Sequence, residues 1–231
     1  MSWFQLPRQP ETEVMDDACE VEAYASAAAQ AHLDAIDNTL VEQVLELGIQ
    51  GGMALDVGTG PGSIPLKIAR RRPDLRWVGI DKSQTMLGVA RRAAHNQGLH
   101  DRVSFCLADA SQLCFPDGTF ELVLSNSLLH HLADPVATFN EMARVTKPDG
   151  VVLIRDLRRP SRLAFKAHVV WHGRHYSGKM KELYDNSVRA AYTPEELQSL
   201  IEASALAGGH IFLYRRTHLG ACWKNAVHRS N

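Results

Sequence analysis

The chain has 231 residues, 45% of them hydrophobic, and a formal net charge of −1 at neutral pH. A chain of this length and composition can bury one substantial core, so we expect a single domain over residues 1–231. With a sequence pI of about 6.8, the protein has no overall field to attract nucleic acid or an anionic membrane. Neither is an expected partner.

Cysteine usage and the amino terminus bear on cellular location. The four cysteines, Cys19, Cys106, Cys114 and Cys222, lack any C-x-x-C spacing, which disfavours a zinc site or a thioredoxin-like motif. The first residues lack a charged segment followed by an apolar one, and no run of about 18 apolar residues occurs. We therefore predict a reduced, cytoplasmic protein.

The amino-terminal part of the chain is predicted to be a helical lid, residues 1–50. A helix is expected over residues 20–47, because apolar side chains recur there at helical spacing. Gly48 and the pair at 51–52 end it.

From residue 53 onward, strand-like and helix-like patterns alternate. Strands are predicted over residues 53–57, 77–81, 103–107, 120–125 and 151–155, and helices over 62–72, 83–97 and 135–146. This alternation predicts a doubly wound α/β fold with a parallel sheet. Residues 147–150 are a predicted turn, and Thr193, Pro194 and Glu196 begin a helix that runs to about residue 206. Two closing strands are expected near 210–215 and 218–223.

Residues 55–62, Leu-Asp-Val-Gly-Thr-Gly-Pro-Gly, link the first predicted strand to a helix. Glycine allows the sharp turn at Gly58, close approach of a ligand at Gly60 and tight helix–strand packing at Gly62. A dinucleotide loop would read G-x-G-x-x-G, whereas here the third glycine comes one residue early. Asp56 would repel a pyrophosphate but suits an amino group, so a ligand with a cationic amino-acid part is favoured.

This loop resembles the D-x-G-x-G-x-G loop of class I S-adenosylmethionine-dependent methyltransferases. The resemblance implies a Rossmann-like, seven-stranded sheet with an antiparallel edge strand, and S-adenosyl-L-methionine as cofactor with S-adenosyl-L-homocysteine as product. It also implies that Asp81 accepts hydrogen bonds from the ribose hydroxyls, that Asp109 meets the adenine amino group and that residues 51–156 form the cofactor-binding core. Met86 is a candidate apolar wall for adenine. The predicted cofactor-binding residues are Asp56, Gly58, Thr59, Gly60, Gly62, Asp81, Lys82, Met86, Asp109, Ala110, Ser125 and Asn126.

The segment after the fourth predicted strand, Ser125–Leu132, is similar to that of small-molecule members such as the ubiquinone and menaquinone ring C-methyltransferases. It lacks the N-P-P-Y type sequence of many amino and nucleobase methylators. We therefore expect methyl transfer to oxygen or carbon of a small organic molecule. His131 and His130 are the candidate general bases, with His131 preferred slightly, because imidazole titrates near physiological pH. Packing is the alternative role for either histidine.

Residues 157–192 depart from the regular alternation and are predicted to form a substrate lid, followed by a closing helix and strands over 193–231. Between residues 155 and 181 the chain has eight Lys and Arg and a single acid, Asp156. Arginine binds carboxylate and phosphate groups well, so an anionic acceptor is one interpretation; a solvated helix face is the other. The candidate substrate-binding residues are Tyr24, Arg155, Arg158 and Tyr176.

His168, His172 and His175 could share one helix face and bind a metal ion. Gly173 interrupts that helix and no carboxylate joins them at a useful spacing, so we expect no metal. Two other functions stay open. The protein could bind the cofactor or its product without turnover, or it could use the sulfonium for another group transfer. A homodimer is also an open alternative.

Overall fold

The computed structural model of the chain describes residues 5–11 and 27–226, without the side chains of residues 27–31. Tyr24 and the first part of the predicted amino-terminal helix lie outside this portion. Within it, the helix covers Ala27–Glu46 (α1). It ends before Gly48, whose left-handed backbone (φ +68°) is typical of a residue that terminates a helix.

Strands and helices then alternate along the described chain. They are β1 (Gly52–Val57), α2 (Ser63–Arg71), β2 (Leu75–Asp81), α3 (Gln84–Asn96), β3 (Val103–Leu107), β4 (Phe120–Asn126), α4 (Pro135–Val145), β5 (Thr146–Leu157), α5 (Phe165–His172), α6 (Gly178–Ala190), α7 (Pro194–Glu202), β6 (His210–Tyr214) and β7 (His218–Lys224). Short 3-10 helices cover Leu129–His131 and Gly173–His175.

All seven strands belong to one sheet, in the order β3-β2-β1-β4-β5-β7-β6. The neighbours from β3 to β5 are parallel, whereas β7 is antiparallel to both β5 and β6. The predicted Rossmann-like fold is therefore confirmed. The strand order reverses between β1 and β4, and in open α/β sheets ligands bind at the carboxyl ends of the strands at such a reversal.

The fifth strand is longer than predicted. It begins at Thr146, so the turn expected at residues 147–150 lies inside the strand. Phe120 pairs with Thr146 but Leu122 pairs with Val151, and the extra residues are accommodated in an irregularity where Asp149 has a left-handed backbone (φ +64°). At its other end the strand continues to Leu157, which places Asp156 at the carboxyl edge of the sheet.

Apolar side chains from the helices cover both faces of the sheet. One cluster includes Leu40, Ile68 and Trp77, and the other includes Phe139 and Leu219, all almost fully buried. The predicted caps are present as well, since the hydroxyl of Ser83 accepts from the backbone N–H of Met86 and Thr193 forms a capping box with Glu196. Well-packed layers of this kind hold the carboxyl edge of the sheet in a fixed position.

Candidate active site

A cavity of about 670 Å³ lies at the carboxyl edge of the sheet. Its wall comes from α1, the loop after β1, the ends of β2 and β4, the lid segment and the β6–β7 hairpin. Of the predicted site residues, the wall includes Asp56, Gly58, Thr59, Gly60, Asp81, Lys82, Met86, Ala110, Asn126, His130, His131 and Tyr176. Residues far apart in the sequence are thus brought together around one space.

The loop after β1 is held in place by hydrogen bonds to β2. The backbone N–H groups of Gly58 and Thr59 both donate to the carbonyl of Ile80 at 2.9 Å. The backbone N–H of Gly60 donates to Asp81 Oδ2 at 2.8 Å. Asp56 and Asp81 are the two acids predicted to hold opposite ends of the cofactor. Both are bonded to the loop, Asp56 through Thr59 and Asp81 through Gly60.

The three glycines of the loop have left-handed backbones but different surroundings. A Cβ on Gly58 would lie 2.8 Å from the side chain of Leu128, and one on Gly62 would lie 2.7 Å from Phe105. A Cβ on Gly60 would meet no atom within 4 Å, and Gly60 borders the cavity. Tight packing therefore explains why residues 58 and 62 are glycine. At Gly60, the absence of a side chain instead leaves space in the cavity beside the loop backbone.

Asp56 is the most deeply placed charge-bearing group of the loop, with 2% of its surface exposed. Its Oδ2 accepts a hydrogen bond from the Thr59 hydroxyl at 2.7 Å. Burial raises the pKa of Asp56 to about 7, with Asp81 and Asp37 acting in the same direction and the Thr59 hydrogen bond opposing them. Such a carboxyl group is poised to ionise when a cationic group enters the cavity.

The far side of the cofactor crevice carries the next group of predicted residues. Asp81 Oδ1 accepts from the backbone N–H of Ser83 at 2.9 Å, so the carboxylate of Asp81, the last residue of β2, is fixed beside the turn into α3. Lys82 forms an ion pair with Asp109 at 2.9 Å across the rim. The pKa of Asp109 is lowered to about 2, first by the hydrogen bond from the Ser111 backbone and then by Lys82.

Some predicted residues lie beside the cavity rather than in its wall. Gly62, Asp109, Ser125, Arg155 and Arg158 are absent from the described lining. The carboxylate of Asp109 is partly exposed beside Lys82.

Arg155, predicted to bind substrate, is fully buried and bonded to the protein. Its Nε donates to Asn126 Oδ1 at 3.0 Å, Nη1 to the Thr39 hydroxyl at 2.8 Å and Nη2 to the carbonyl of Ile36 at 3.2 Å. Burial lowers its pKa to about 10, so it stays charged at neutral pH. Arg155 therefore joins α1 to the end of β4, and it orients Asn126 so that the amide NH₂ remains available as a donor.

Two further basic residues of the segment 157–192, Arg158 and Arg159, also make hydrogen bonds within the protein. The backbone N–H of Arg158 donates to Thr217. Arg159 is buried and donates to the carbonyls of Leu6 and Ala191 and to Glu196. Near the cavity, the described basic side chains are those of Lys82, Arg215 and Arg216, together with several histidines.

His130, in the cavity wall, forms a buried pair with Asp156. His130 Nδ1 lies 2.6 Å from Asp156 Oδ1, and the backbone N–H of His130 donates to Asp156 Oδ2 at 3.1 Å. Burial disfavours the charge on Asp156, but His130, His131 and the backbone N–H of Leu157 together outweigh that effect and hold the pKa of Asp156 below its ordinary value. An ionised carboxylate at Nδ1 orients the ring, so Nε2 is the nitrogen left for chemistry.

His131 has a different environment. Its ring centroid is 4.0 Å from that of His130, and burial, followed by the neighbouring His130, lowers its pKa to about 3. A base that weak is nearly always unprotonated at neutral pH but gains little by accepting a proton. The geometry therefore favours His130, although the sequence pattern had slightly favoured His131.

His168, His172 and His175, which the sequence places on one possible helix face, do not form one cluster in the structure. The rings of His168 and His172 are 4.7 Å apart, but that of His175 stacks on His32 of α1 at 4.6 Å. The break follows from Gly173, where α5 ends and a 3-10 helix begins.

Sequence reasoning missed several residues at the site. Asp156 follows Arg155 near the carboxyl end of β5, and the rule that ligand-binding side chains follow such strands could have found it. Thr39, on α1, and Glu11, which lies near His131, reach the site only through tertiary packing. No local pattern marks either of them.

The comparisons with known proteins agree with this architecture. Residues 50–205 match a family model described as a methyltransferase domain. A demethylmenaquinone methyltransferase of Roseiflexus castenholzii is 30% identical over 187 residues, which cover 77% of this chain and 74% of that protein. The ajmaline N-methyltransferase of Rauvolfia serpentina is 38% identical over 100 residues, covering 43% of this chain and 34% of that protein.

The chain spans about half the length of most of the curated relatives that it matches. Among solved structures, a SAM-dependent methyltransferase from Aquifex aeolicus superposes with a TM-score of 0.65 at 20% identity, covering 91% of this chain and 99% of that one. In the part of the chain that the structure describes, no helix combines the length and apolar character needed to cross a membrane.

Proposed function

The chain belongs to the methyltransferase-domain family, within the class I S-adenosylmethionine-dependent group, and we propose that it transfers a methyl group to oxygen or carbon of a small, largely apolar aromatic or enolic molecule. The observation that carries this proposal is that His130, bonded to Asp156, lines the same cavity as the glycine loop. One space can hold both a methyl donor and an acceptor that must lose a proton.

S-adenosylmethionine fits the cofactor side of the cavity by the chemistry of the residues present. When bound, it supplies a methyl group on a positively charged sulfur. Asp56 offers a buried carboxylate for the amino group, Asp81 offers acceptor oxygens for the ribose hydroxyls, and Met86 offers an apolar surface for the base. Gly60 leaves the loop backbone free to approach the ligand.

The acceptor side is mainly apolar and aromatic. The lid contributes Tyr176, Met180, Leu183 and Tyr184, and α1 contributes Leu33. Because the side chains of Arg155 and Arg159 are bonded to the protein and Arg158 is absent from the described wall, the three arginines give no support to the expected anionic acceptor. A planar ring with few charges matches these side chains better.

The role we assign to His130 is proton removal at Nε2. A phenol, an enol or an activated ring carbon becomes a strong nucleophile only as its proton leaves, and Asp156 stabilises the imidazolium that results. The apolar wall keeps water out, and the cavity holds acceptor and methyl donor in line. Proximity and desolvation supply the remaining acceleration.

The proposal is tested by incubating the purified chain with methyl-labelled S-adenosylmethionine and three matched sets of acceptors. The sets are apolar phenols and quinols, the same rings bearing a carboxylate, and the corresponding anilines. We expect label in the first set above the other two, and a large loss of that signal in His130→Gln. Transfer to anilines, or equal transfer by His130→Gln, would overturn the proposed acceptor and base.

A further inference from the structure

Glu11, His130 and His131 form a cluster in or beside the wall of the cavity. Each residue can offer one nitrogen or oxygen atom to a metal ion, and the three atoms lie within 4.8 Å of one another. Glu11 Oε2 is 3.9 Å from His131 Nδ1. This cluster differs from the histidine row suggested by the sequence, and it includes a carboxylate, which that row lacked.

The two histidines have nitrogen atoms suited to metal binding. His130 Nδ1 is engaged by Asp156 at 2.6 Å, so His130 would coordinate through Nε2. A carboxylate on the distal nitrogen is the usual second partner of a metal-bound histidine. His131 Nδ1 is buried and has no hydrogen-bond partner among the described residues.

Glu11 is held in position by contacts of the segment 5–11. The Ser187 hydroxyl donates to Glu11 Oε2 at 3.1 Å. Arg8 donates to the carbonyl of Ala190 at 2.6 Å and to that of His130 at 3.1 Å. This segment is therefore bonded to both α6 and the 3-10 helix that carries the histidines, which keeps Glu11 beside His131.

We propose that Glu11, His130 and His131 bind one divalent transition-metal ion, for which Zn²⁺ and Co²⁺ are suitable probes. Two imidazoles and one carboxylate are a ligand set that zinc accepts.

The proposed site has a consequence for methyl transfer. A metal ion on His130 Nε2 occupies the lone pair that the proposed proton transfer needs. We therefore expect Zn²⁺ to inhibit turnover and a chelator to restore it. This consequence rests on the proposed function, whereas metal binding itself does not.

The test uses the full chain, without an affinity tag and freed of metal by chelation. Zn²⁺ binding is measured by calorimetry and Co²⁺ binding by visible absorption, both without cofactor. We expect one ion per chain, binding at least tenfold weaker in Glu11→Gln and His131→Gln, and about 10–100-fold weaker in Asp156→Asn. His100→Gln is the matched control, because His95 and His100 form an exposed pair (ring centroids 5.3 Å apart) beside Asp101.

Binding of S-adenosylhomocysteine shows that each variant is folded. No binding of either ion by the wild-type chain would overturn the proposal, as would wild-type affinity in both Glu11→Gln and His131→Gln. Loss of binding only in His100→Gln would place the ion on the surface pair. A chain that binds zinc but transfers no methyl group even when freed of metal would refute the proposed function and leave the metal site intact.

Discussion

His130 Nδ1 and Asp156 Oδ1 lie 2.6 Å apart, and both side chains are almost completely buried. The two residues come from different elements, the 3-10 helix after β4 and the carboxyl end of β5. Because Asp156 also accepts from the backbone N–H of His130 at 3.1 Å, the carboxylate fixes both the ring and the turn that carries it. The acceptor side of the cavity thus has one histidine with a defined orientation.

Replacing Asp156 with Asn should impair the function of His130 in catalysis without changing the affinity for the cofactor product. The amide keeps the shape of the carboxylate but cannot stabilise an imidazolium, so we expect kcat to fall by about 10²–10⁴-fold. The affinity for S-adenosylhomocysteine should change by less than about threefold, since the described hydrogen bonds of Asp156 go to His130 and to the backbone of Leu157, not to the glycine loop. Steady-state kinetics and calorimetry on the same variant measure the two effects. Equal losses in both would show that Asp156 merely supports the fold.

Cofactor affinity should depend on pH through Asp56. Its pKa is raised to about 7 in the free protein, and a cationic amino group favours the ionised form, so the complex holds fewer protons than the free protein. Affinity should therefore rise with pH up to about 7 and level off above it, with proton release on binding at pH 6. Calorimetry in buffers of different ionisation enthalpy measures that release. Asp56→Asn should bind weakly and release no proton; an unchanged pH profile in this variant would contradict the assignment.

Gly60→Val should abolish cofactor binding by filling the space beside the loop. The backbone at Gly60 is left-handed (φ +52°), so strain is expected too. Gly98 provides the matched control, because its φ is +66° and a Cβ there also meets nothing within 4 Å, yet it lies away from the cavity. We expect Gly98→Val to lose comparable stability in thermal unfolding and to keep binding S-adenosylhomocysteine. If both variants bind equally well, the ligand does not approach Gly60.

Thr39→Val should loosen the connection between α1 and the cofactor crevice. The variant removes the acceptor of the Arg155 Nη1 hydrogen bond while keeping the size of the side chain, at a cost of about 1–3 kcal/mol in the free energy of unfolding. We expect the KM for S-adenosylmethionine to rise, because α1 forms part of the cavity wall. Thr119→Val, which removes an exposed hydroxyl bonded to the carbonyl of Pro116, should leave that KM unchanged. A KM that stays constant in Thr39→Val would show that α1 does not contact the cofactor.

The sequence predicts the sheet and the glycine loop because both depend on local signals. Apolar runs, glycines and helix caps are read from a few neighbouring residues, and Ser83 and Thr193 cap their helices as expected. The strand-end rule likewise brings Asp56, Asp81 and Asn126 to one edge. The strands, the glycine turn and the helix caps depend on neighbouring residues, and for these elements the sequence-based predictions agree with the structure.

The roles of Arg155 and the basic lid were harder to predict because they depend on partners distant in the sequence. Arg155 is bonded to Thr39, 116 residues away, and Arg159 to Leu6, 153 residues away. A count of charges along the chain cannot distinguish an arginine that faces a ligand from one that holds a helix. For the same reason, the choice between His130 and His131 depends on Asp156, whose side chain meets only one of the two rings in a hydrogen bond.

Calorimetric titration of the purified chain with S-adenosylmethionine, S-adenosylhomocysteine and NAD tests the central claim most directly. The loop geometry, with Asp56 facing the cavity and the third glycine one residue early, predicts that the first two bind at one site per chain and that NAD does not bind. Binding of NAD without either sulfur compound would mean that the crevice accepts a dinucleotide, and the assignment of the cofactor would be wrong.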